Sequence, residues 1–135
     1  MNSMEKSRRN SLATLIYDCA REVHEHTGPG ILPGIFRSCL AHEMRLRGLR
    51  FRMNAAITVV YKGIRIEEKL FADFIVEEEI AVNIFDNPSD NDFQFKRMQS
   101  ILAFSGCGGG VWLDTSNQRL VDGFKKIINL KKTVI

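Results

Sequence analysis

Cysteine, proline and tryptophan are scarce in this chain of 135 residues, which contains three, three and one of them respectively. Cys19, Cys39 and Cys107 are odd in number and widely spaced, and no two of them form a CxxC pair. This pattern is typical of reduced, partly buried thiols in an intracellular protein rather than of a disulfide framework or a zinc site.

Long apolar runs are also missing from the sequence. No stretch approaches the length of a membrane span. The segment Met1–Asn10 is polar, and no apolar core of a signal peptide follows it. These absences predict an intracellular and most simply cytoplasmic protein without membrane insertion, and they leave an organellar presequence open.

A strong charge bias is absent as well, because the formal net charge is only +3. Hydrophobic residues make up 44% and charged residues 26% of the chain, as in an ordinary globular protein. The length fits one domain with a real core. We therefore predict a polar N-terminal tail over residues 1–10, a single domain over residues 11–130 and a short tail over residues 131–135.

The first part of the domain has the apolar spacing of two amphipathic helices. Leu12, Ile16 and Cys19 recur on one helical face, with an N-cap expected at Asn10 or Ser11. A glycine-rich turn at residues 28–30 ends this helix. A second helical pattern runs from Leu32 to the region of Gly48, and its arginines are expected on the solvent face.

From Phe51 onward the sequence favours β-strands. The residues at 62–63 read as a hairpin turn, with a second strand predicted over Ile64–Val76. The three glutamates at 77–79 predict a turn, and a third strand follows over residues 80–85.

The remainder of the chain predicts a helix, a short buried strand and a last helix. Ser89 or Asp90 is a plausible N-cap for the third helix. Glycines at 106–110 end that helix, and residues 111–113 form the strand. Leu120, Phe124, Ile127 and Ile128 have the spacing of the last helix. The order ααβββαβα is typical of an α/β fold with a mixed central sheet flanked by helices.

Several short motifs occur in a characteristic order along the chain. They are Glu22-Val23-His24, Gly28-Pro29-Gly30, Leu40-Ala41-His42-Glu43, Arg47-Gly48-Leu49, Tyr61-Lys62-Gly63 and Ala72-Asp73. Together they resemble the GxxExxY proteins, which are small members of the PD-(D/E)XK nuclease-like superfamily. The likeness extends over residues 12–129. It implies an αβββαβ nuclease-like core with an extra N-terminal helix.

The resemblance also implies where a metal-dependent nuclease site would lie, and most of its positions hold other residues. The glutamate of the name-giving motif corresponds to Pro33. The superfamily aspartate is present as Asp73, whereas the glutamate and lysine of the third strand correspond to Asn83 and Phe85. A glutamine often found on the following helix corresponds to Arg97.

These replacements remove most of the chemistry that phosphodiester hydrolysis needs. Magnesium prefers carboxylate oxygens, and one aspartate with a neutral amide is a poor substitute. The missing lysine removes a cation that would stabilise the developing negative charge. We therefore expect a vestigial pocket formed by Pro33, Asp73, Asn83 and Phe85, with no catalytic residue and no cofactor. No metal site is expected, or at most a single ligand from Asp73. The protein is expected to be a pseudo-nuclease rather than an enzyme.

Other candidate sites have simpler interpretations. His24 and His26 lie on different faces of a helix, so a shared metal ion is not expected. Glu43 could line the pocket, although a helical carboxylate more often pairs with a nearby arginine. The glycines at 106–110 lack the ending of a phosphate-binding loop and are expected to cap a helix.

Two classes of function follow from this sequence. The first is a catalytically inactive nuclease-like fold that serves as a structural or protein-binding subunit, with another protein or a second copy as its partner. The apolar segment Phe93-Gln94-Phe95 would suit a partner groove. The alternative is a nucleic-acid-binding protein or a magnesium-dependent DNA nuclease with a rearranged site. For this alternative the candidate nucleic-acid contacts should gather on one face, and they are Arg45, Arg47, Arg50, Arg52 and Arg97. An unrelated small-molecule site in the emptied pocket is a third option.

Overall fold

A computed structural model of the chain describes residues 3–85 and 91–130. Its helices are α1 (Ser3–Thr27), α2 (Pro33–Leu46), α3 (Asn91–Ser105) and the short α4 (Leu120–Gly123). Its strands are β1 (Phe51–Ile57), β2 (Val60–Tyr61), β3 (Ile64–Arg65), β4 (Leu70–Val76), β5 (Ile80–Phe85), β6 (Gly109–Asp114) and β7 (Phe124–Ile128). The two candidate N-caps of α3 at Ser89 and Asp90, and the predicted C-terminal tail, lie outside the described residues.

Five strands form one mixed sheet in the order β1-β4-β5-β6-β7. β5 and β6 are parallel, and every other neighbouring pair in this sheet is antiparallel. A parallel pair needs a crossover connection, and α3 supplies it. The predicted α/β fold with a mixed sheet flanked by helices is thus confirmed.

Each face of the sheet is covered by its own helical layer. α1 and α2 pack on one face, where Ile16, Phe36 and Leu40 are fully buried against strand residues such as Phe74. α3 packs on the other face in a second apolar cluster that contains Met98, Ile101, Leu102 and Trp112. Burial of large apolar side chains of this kind contributes roughly 1.5–3 kcal/mol each. The two layers hold the central strands β4 and β5 between them.

The tight turns agree with the sequence. Lys62 and Gly63 both have positive φ, 48° and 80°, which fits a two-residue hairpin turn between β2 and β3. Glu77 and Glu78 also have positive φ in the turn from β4 to β5. This second turn fixes the register of the two strands that carry Asp73 and Asn83.

Two boundaries differ from the prediction. α1 begins at Ser3, so residues 3–10 are helical and the helix starts before the N-cap expected at Asn10 or Ser11. The physical reason is tertiary, because Arg9 is buried and Arg8 pairs with Glu79 at 2.8 Å on the β4–β5 turn. The predicted strand Ile64–Val76 is divided into β3 and β4 by a bend.

The prediction of a long last helix is wrong. Only Leu120–Gly123 is helical, and Phe124–Ile128 forms the strand β7, which pairs antiparallel with β6. The apolar spacing of this segment fits both periods, and the free edge of the buried strand β6 decides between them. β7 satisfies the backbone groups that β6 would otherwise bury unpaired. In the described part of the chain, no helix is both long and apolar enough to cross a membrane.

Candidate functional site

Asp73 and Asn83 face each other where β4 and β5 stop pairing through their backbones. The ladder between the strands extends from Val76 and Ile80 to Phe74 and Val82. Beyond that point the Asp73 N–H donates to Asn83 Oδ1 at 2.9 Å, and the Ile84 N–H donates to Asp73 Oδ2 at 2.8 Å. Two polar side chains therefore replace the backbone acceptors of the missing ladder bonds.

The neighbouring strand β1 has an irregularity at the same level. Asn54 has a φ of 47°, and the register places it opposite Asp73, between the pairs Met53–Phe74 and Ala55–Ala72. A left-handed residue interrupts the alternation of side chains along a strand. On the paired strand β4, Ala72 belongs to the α3-side core, whereas Phe74 belongs to the core under α1 and α2. Asp73 lies between these two residues, where the buried side chains of β4 change from one face of the sheet to the other.

A guanidinium from α2 approaches the same carboxylate. Arg37 Nη1 lies 3.6 Å from Asp73 Oδ2, with the two side chains 31% and 23% exposed. Arg37 was expected on the solvent face of α2, so this contact was not predicted from the sequence. The available signal was its position one helical turn after Pro33, the first residue of α2 and a residue assigned to the pocket. Asp73 is thus engaged by a backbone N–H and by an internal cation.

The β5 positions offer neither a carboxylate nor an amine. Asn83 is half-buried and uses its oxygen on Asp73, and Phe85 packs against the α3-side core. Asp114 lies next to Phe85 in β6, but its Oδ1 accepts hydrogen bonds from the backbone N–H and the hydroxyl of Ser116. Among residues 3–85 and 91–130, no group of three or more His, Cys, Asp or Glu residues could hold a metal ion. The arrangement supplies one carboxylate, one amide and one guanidinium.

The helical carboxylate and the histidines do not extend this site. Glu43 pairs with Arg47 at 3.1 Å, the arginine pairing expected from the sequence. His24 is buried with Nε2 3.0 Å from the carbonyl oxygen of Asn117, while His26 Nδ1 lies 2.9 Å from the carbonyl oxygen of Glu22. The two imidazoles therefore have separate partners.

Four of the five candidate nucleic-acid arginines surround the α2–β1 segment, and each is occupied. Arg50 pairs with Glu77 at 3.2 Å and Arg52 with Glu78 at 2.8 Å. The pKa of Glu77 is lowered chiefly by the backbone N–H of Arg50, and the hydrogen bond to Glu78 raises the pKa of Arg52. Arg47 is held by Glu43 as described, and the fourth, Arg45, lies over the ring of Phe51. Carboxylates therefore neutralise three of these four positive charges.

Arg97, the fifth candidate, is separated from the others by the sheet. It belongs to α3, and its guanidinium lies over the ring of Phe93, 5.0 Å from the centroid. α2 and α3 cover opposite faces, so the five arginines do not gather on one face.

The glycines near β6 have a packing role. A Cβ on Gly109 would meet the stem of Arg9 at 2.8 Å, and one on Gly110 would meet Met98 at 2.9 Å. Gly106 follows α3 with a φ of 76°, which is typical of a helix C-terminus. This segment lets the flanking helices approach β6 closely.

Comparison with known proteins bears on the fold and the family. The crystal structure of SSO0001 resembles this chain with a TM-score of 0.54 at 17% sequence identity, covering 71% of this chain and 49% of that one. The chain thus spans about half the length of that protein, and the likeness concerns the fold. A search of curated protein sequences found no match. A family model described as the PD-(D/E)XK nuclease superfamily matches residues 10–110, which include α2, β1, β4, β5 and α3. Since this match covers more than half of the sequence, the chain belongs to the PD-(D/E)XK nuclease superfamily.

Proposed function

We propose that this chain is a catalytically inactive nuclease-like protein that serves as a structural or protein-binding subunit of a larger assembly. The observation that carries the proposal is the state of Asp73. Its Oδ2 accepts the Ile84 N–H and lies 3.6 Å from the guanidinium of Arg37. The carboxylate that the resemblance assigns to the superfamily site is therefore used inside the fold.

The electrostatics of this contact oppose metal binding. Two like unit charges about 4 Å apart repel by about 4 kcal/mol at an effective dielectric constant of about 20, and a divalent ion doubles that figure. Solvent screening reduces the value here because Arg37 is 31% exposed. A magnesium ion at Asp73 would still have to displace Arg37 without a second carboxylate to replace its charge.

The rest of the pocket supports the same interpretation. Phe85 occupies the position that the resemblance assigns to a lysine, and it packs in the α3-side core. A partly buried phenyl ring carries no positive charge and cannot stabilise the negative charge that develops on a phosphate. Within the superfamily, we place the chain among the GxxExxY proteins because its short motifs occur in the order typical of them. We also propose that the protein is cytoplasmic.

The nucleic-acid alternative has less support from the geometry. A binder of the phosphate backbone needs several unpaired cations on one surface. Here Arg47, Arg50 and Arg52 each pair with a glutamate, and Arg97 lies on the opposite side of the sheet. We therefore favour a protein partner.

A cleavage assay tests the inactivity. Single- and double-stranded DNA are incubated with the purified chain in magnesium and in manganese, with Asp73→Ala as the matched control. We expect equal background from both proteins. Metal-dependent cleavage by the wild type that is lost in Asp73→Ala would contradict the proposal. A triple variant, Arg37→Ala with Asn83→Glu and Phe85→Lys, tests whether restoring the site restores metal binding.

The subunit role is tested by purification from native cells at moderate salt after chemical crosslinking. We expect a protein partner in a fixed stoichiometry. Recovery of nucleic acid that is released by salt, without a protein partner, would refute this part of the proposal.

A further inference from the structure

We propose that the outer edge of β7 binds an acidic, extended segment of a partner protein by strand addition. This inference specifies the surface of the subunit role proposed above and rests on it. The relevant surface, the β7 groove, lies along β7 between α1 and α3. It has a volume of about 390 Å³. The lining residues that matter here are Ala13, Phe95, Lys126, Ile127, Ile128 and Leu130.

β7 is the last strand of the sheet, and within the described residues β6 is its only strand neighbour. An edge strand presents a row of backbone groups that can pair with another chain. The opposite edge is less suitable, because β1 contains the left-handed Asn54 and its Arg52 is tied to Glu78. β7 is therefore the better receptor for an added strand.

The groove offers apolar contacts on both sides of that edge. Phe95 on α3 is 41% exposed, Ile128 is 46% exposed and Leu130 is 56% exposed. Ala13 lines the groove from α1. Because successive side chains of a strand point to opposite faces, an added strand would direct alternate residues toward α1 and toward α3. Backbone pairing would supply affinity, and the apolar contacts would supply selectivity.

The charges of β7 decide the class of partner. Lys125 and Lys126 are consecutive exposed strand residues, so they project to opposite faces of the sheet. In the described part of the chain, neither lysine forms an ion pair with a carboxylate. An added strand with acidic residues would meet a lysine on either face. A second copy of β7 paired antiparallel about its two lysines would instead place lysines against lysines, which is unfavourable in a strand pair.

A nucleic acid fits the same surface less well. Two lysines beside a mainly apolar groove give few phosphate contacts, whereas Phe95, Ile127 and Ile128 match aliphatic side chains of a peptide. The geometry therefore points to an acidic peptide with alternating apolar residues.

A random-peptide display library, selected on the full chain, tests this inference. We expect the selected peptides to be rich in Asp and Glu alternating with apolar residues. The double variant Lys125→Glu with Lys126→Glu should weaken their binding roughly tenfold, in line with the loss of two rim charge pairs and the gain of repulsion. The matched control is Lys69→Glu, because Lys69 lies outside the groove lining. This variant should leave the affinity unchanged.

A second readout separates strand addition from surface attraction. A selected peptide should slow amide hydrogen exchange within Phe124–Ile128, and N-methylation of alternate peptide residues should abolish binding. The inference is overturned if no peptides are enriched, if they lack acidic residues, or if the lysine variant binds them equally well. Tighter binding of a short single-stranded DNA through the same lysines would also overturn it. The cleavage assay is independent of these measurements, so inactivity and groove binding can fail separately.

Discussion

Replacing Asp73 by alanine should destabilise the protein, because its carboxylate closes the gap between β4 and β5. The substitution leaves the Ile84 N–H without its acceptor, and Ile84 is only 5% exposed. A hydrogen bond to a charged group contributes about 1.5–3 kcal/mol. The contact with Arg37 adds at most about 0.5 kcal/mol, since both partners are partly exposed. We expect a loss of about 2 kcal/mol, or roughly 6–10 °C in Tm.

The sign of this effect distinguishes a structural aspartate from a catalytic one. Carboxylates held ready for a metal commonly reduce stability, so their removal often stabilises an enzyme by about 0.5–2 kcal/mol. In this chain the aspartate is satisfied within the fold, so its removal should destabilise. The two interpretations thus predict shifts in opposite directions.

Urea unfolding followed by circular dichroism gives the required free energies. Asp73→Asn should lose about half as much stability, because an amide oxygen can still accept from the Ile84 N–H. Asp92→Ala is the matched control, since Asp92 pairs with Lys96 at 3.0 Å on the exposed face of α3. Its change should stay within about 0.5 kcal/mol. An Asp73→Ala protein as stable as the wild type, or more stable, would refute the reasoning.

Three further predictions concern the surrounding fold. Asn129→Ala should lower the free energy of unfolding in urea by about 2–3 kcal/mol. The reason is that the buried Asn129 amide donates to the carbonyl oxygens of Leu102 and Cys107, at 2.9 Å each. A loss below about 1 kcal/mol would contradict this. Gly123→Ala should abolish soluble expression or lower the free energy of unfolding by more than about 3 kcal/mol, since a Cβ there would overlap the carbonyl oxygen of Asp114. A variant as stable as the wild type would argue against that packing. In the folded wild type the Arg50 N–H stabilises the Glu77 carboxylate and lowers its pKa below the ordinary value of 4.5. The resulting stability is present above that ordinary pKa and is lost as pH falls through the lowered folded-state pKa, and Glu77→Gln should remove it. Identical acid unfolding curves for the two proteins would contradict this prediction.

The sequence was sufficient for elements whose signal is local. Regular apolar spacing identified the two N-terminal helices and α3, and a two-residue turn identified the β2–β3 hairpin. The segment after Gly123 shows where local information ends. Phe124, Ile127 and Ile128 fit a helix by spacing, yet the free edge of β6 selects a strand. Such a choice depends on a neighbour that is distant in sequence.

The candidate site shows the same limit. The positions of Asp73 and Asn83 followed from the family resemblance, and the structure brings them together. The approach of Arg37 could not be derived, because the angle between α2 and the sheet determines which helical residue reaches β4. The left-handed conformation of Asn54 was not predicted either, although asparagine adopts positive φ more readily than most residues.

The change of faces at Asp73 has a consequence for how the molecule unfolds. Ala72 and Phe74 are two residues apart on one strand, yet each belongs to a different apolar core. Melting either helical layer would pull β4 out of the other, so neither layer can open alone. Unfolding should accordingly follow a single cooperative transition, and the slowest-exchanging amides on both faces should share one opening free energy.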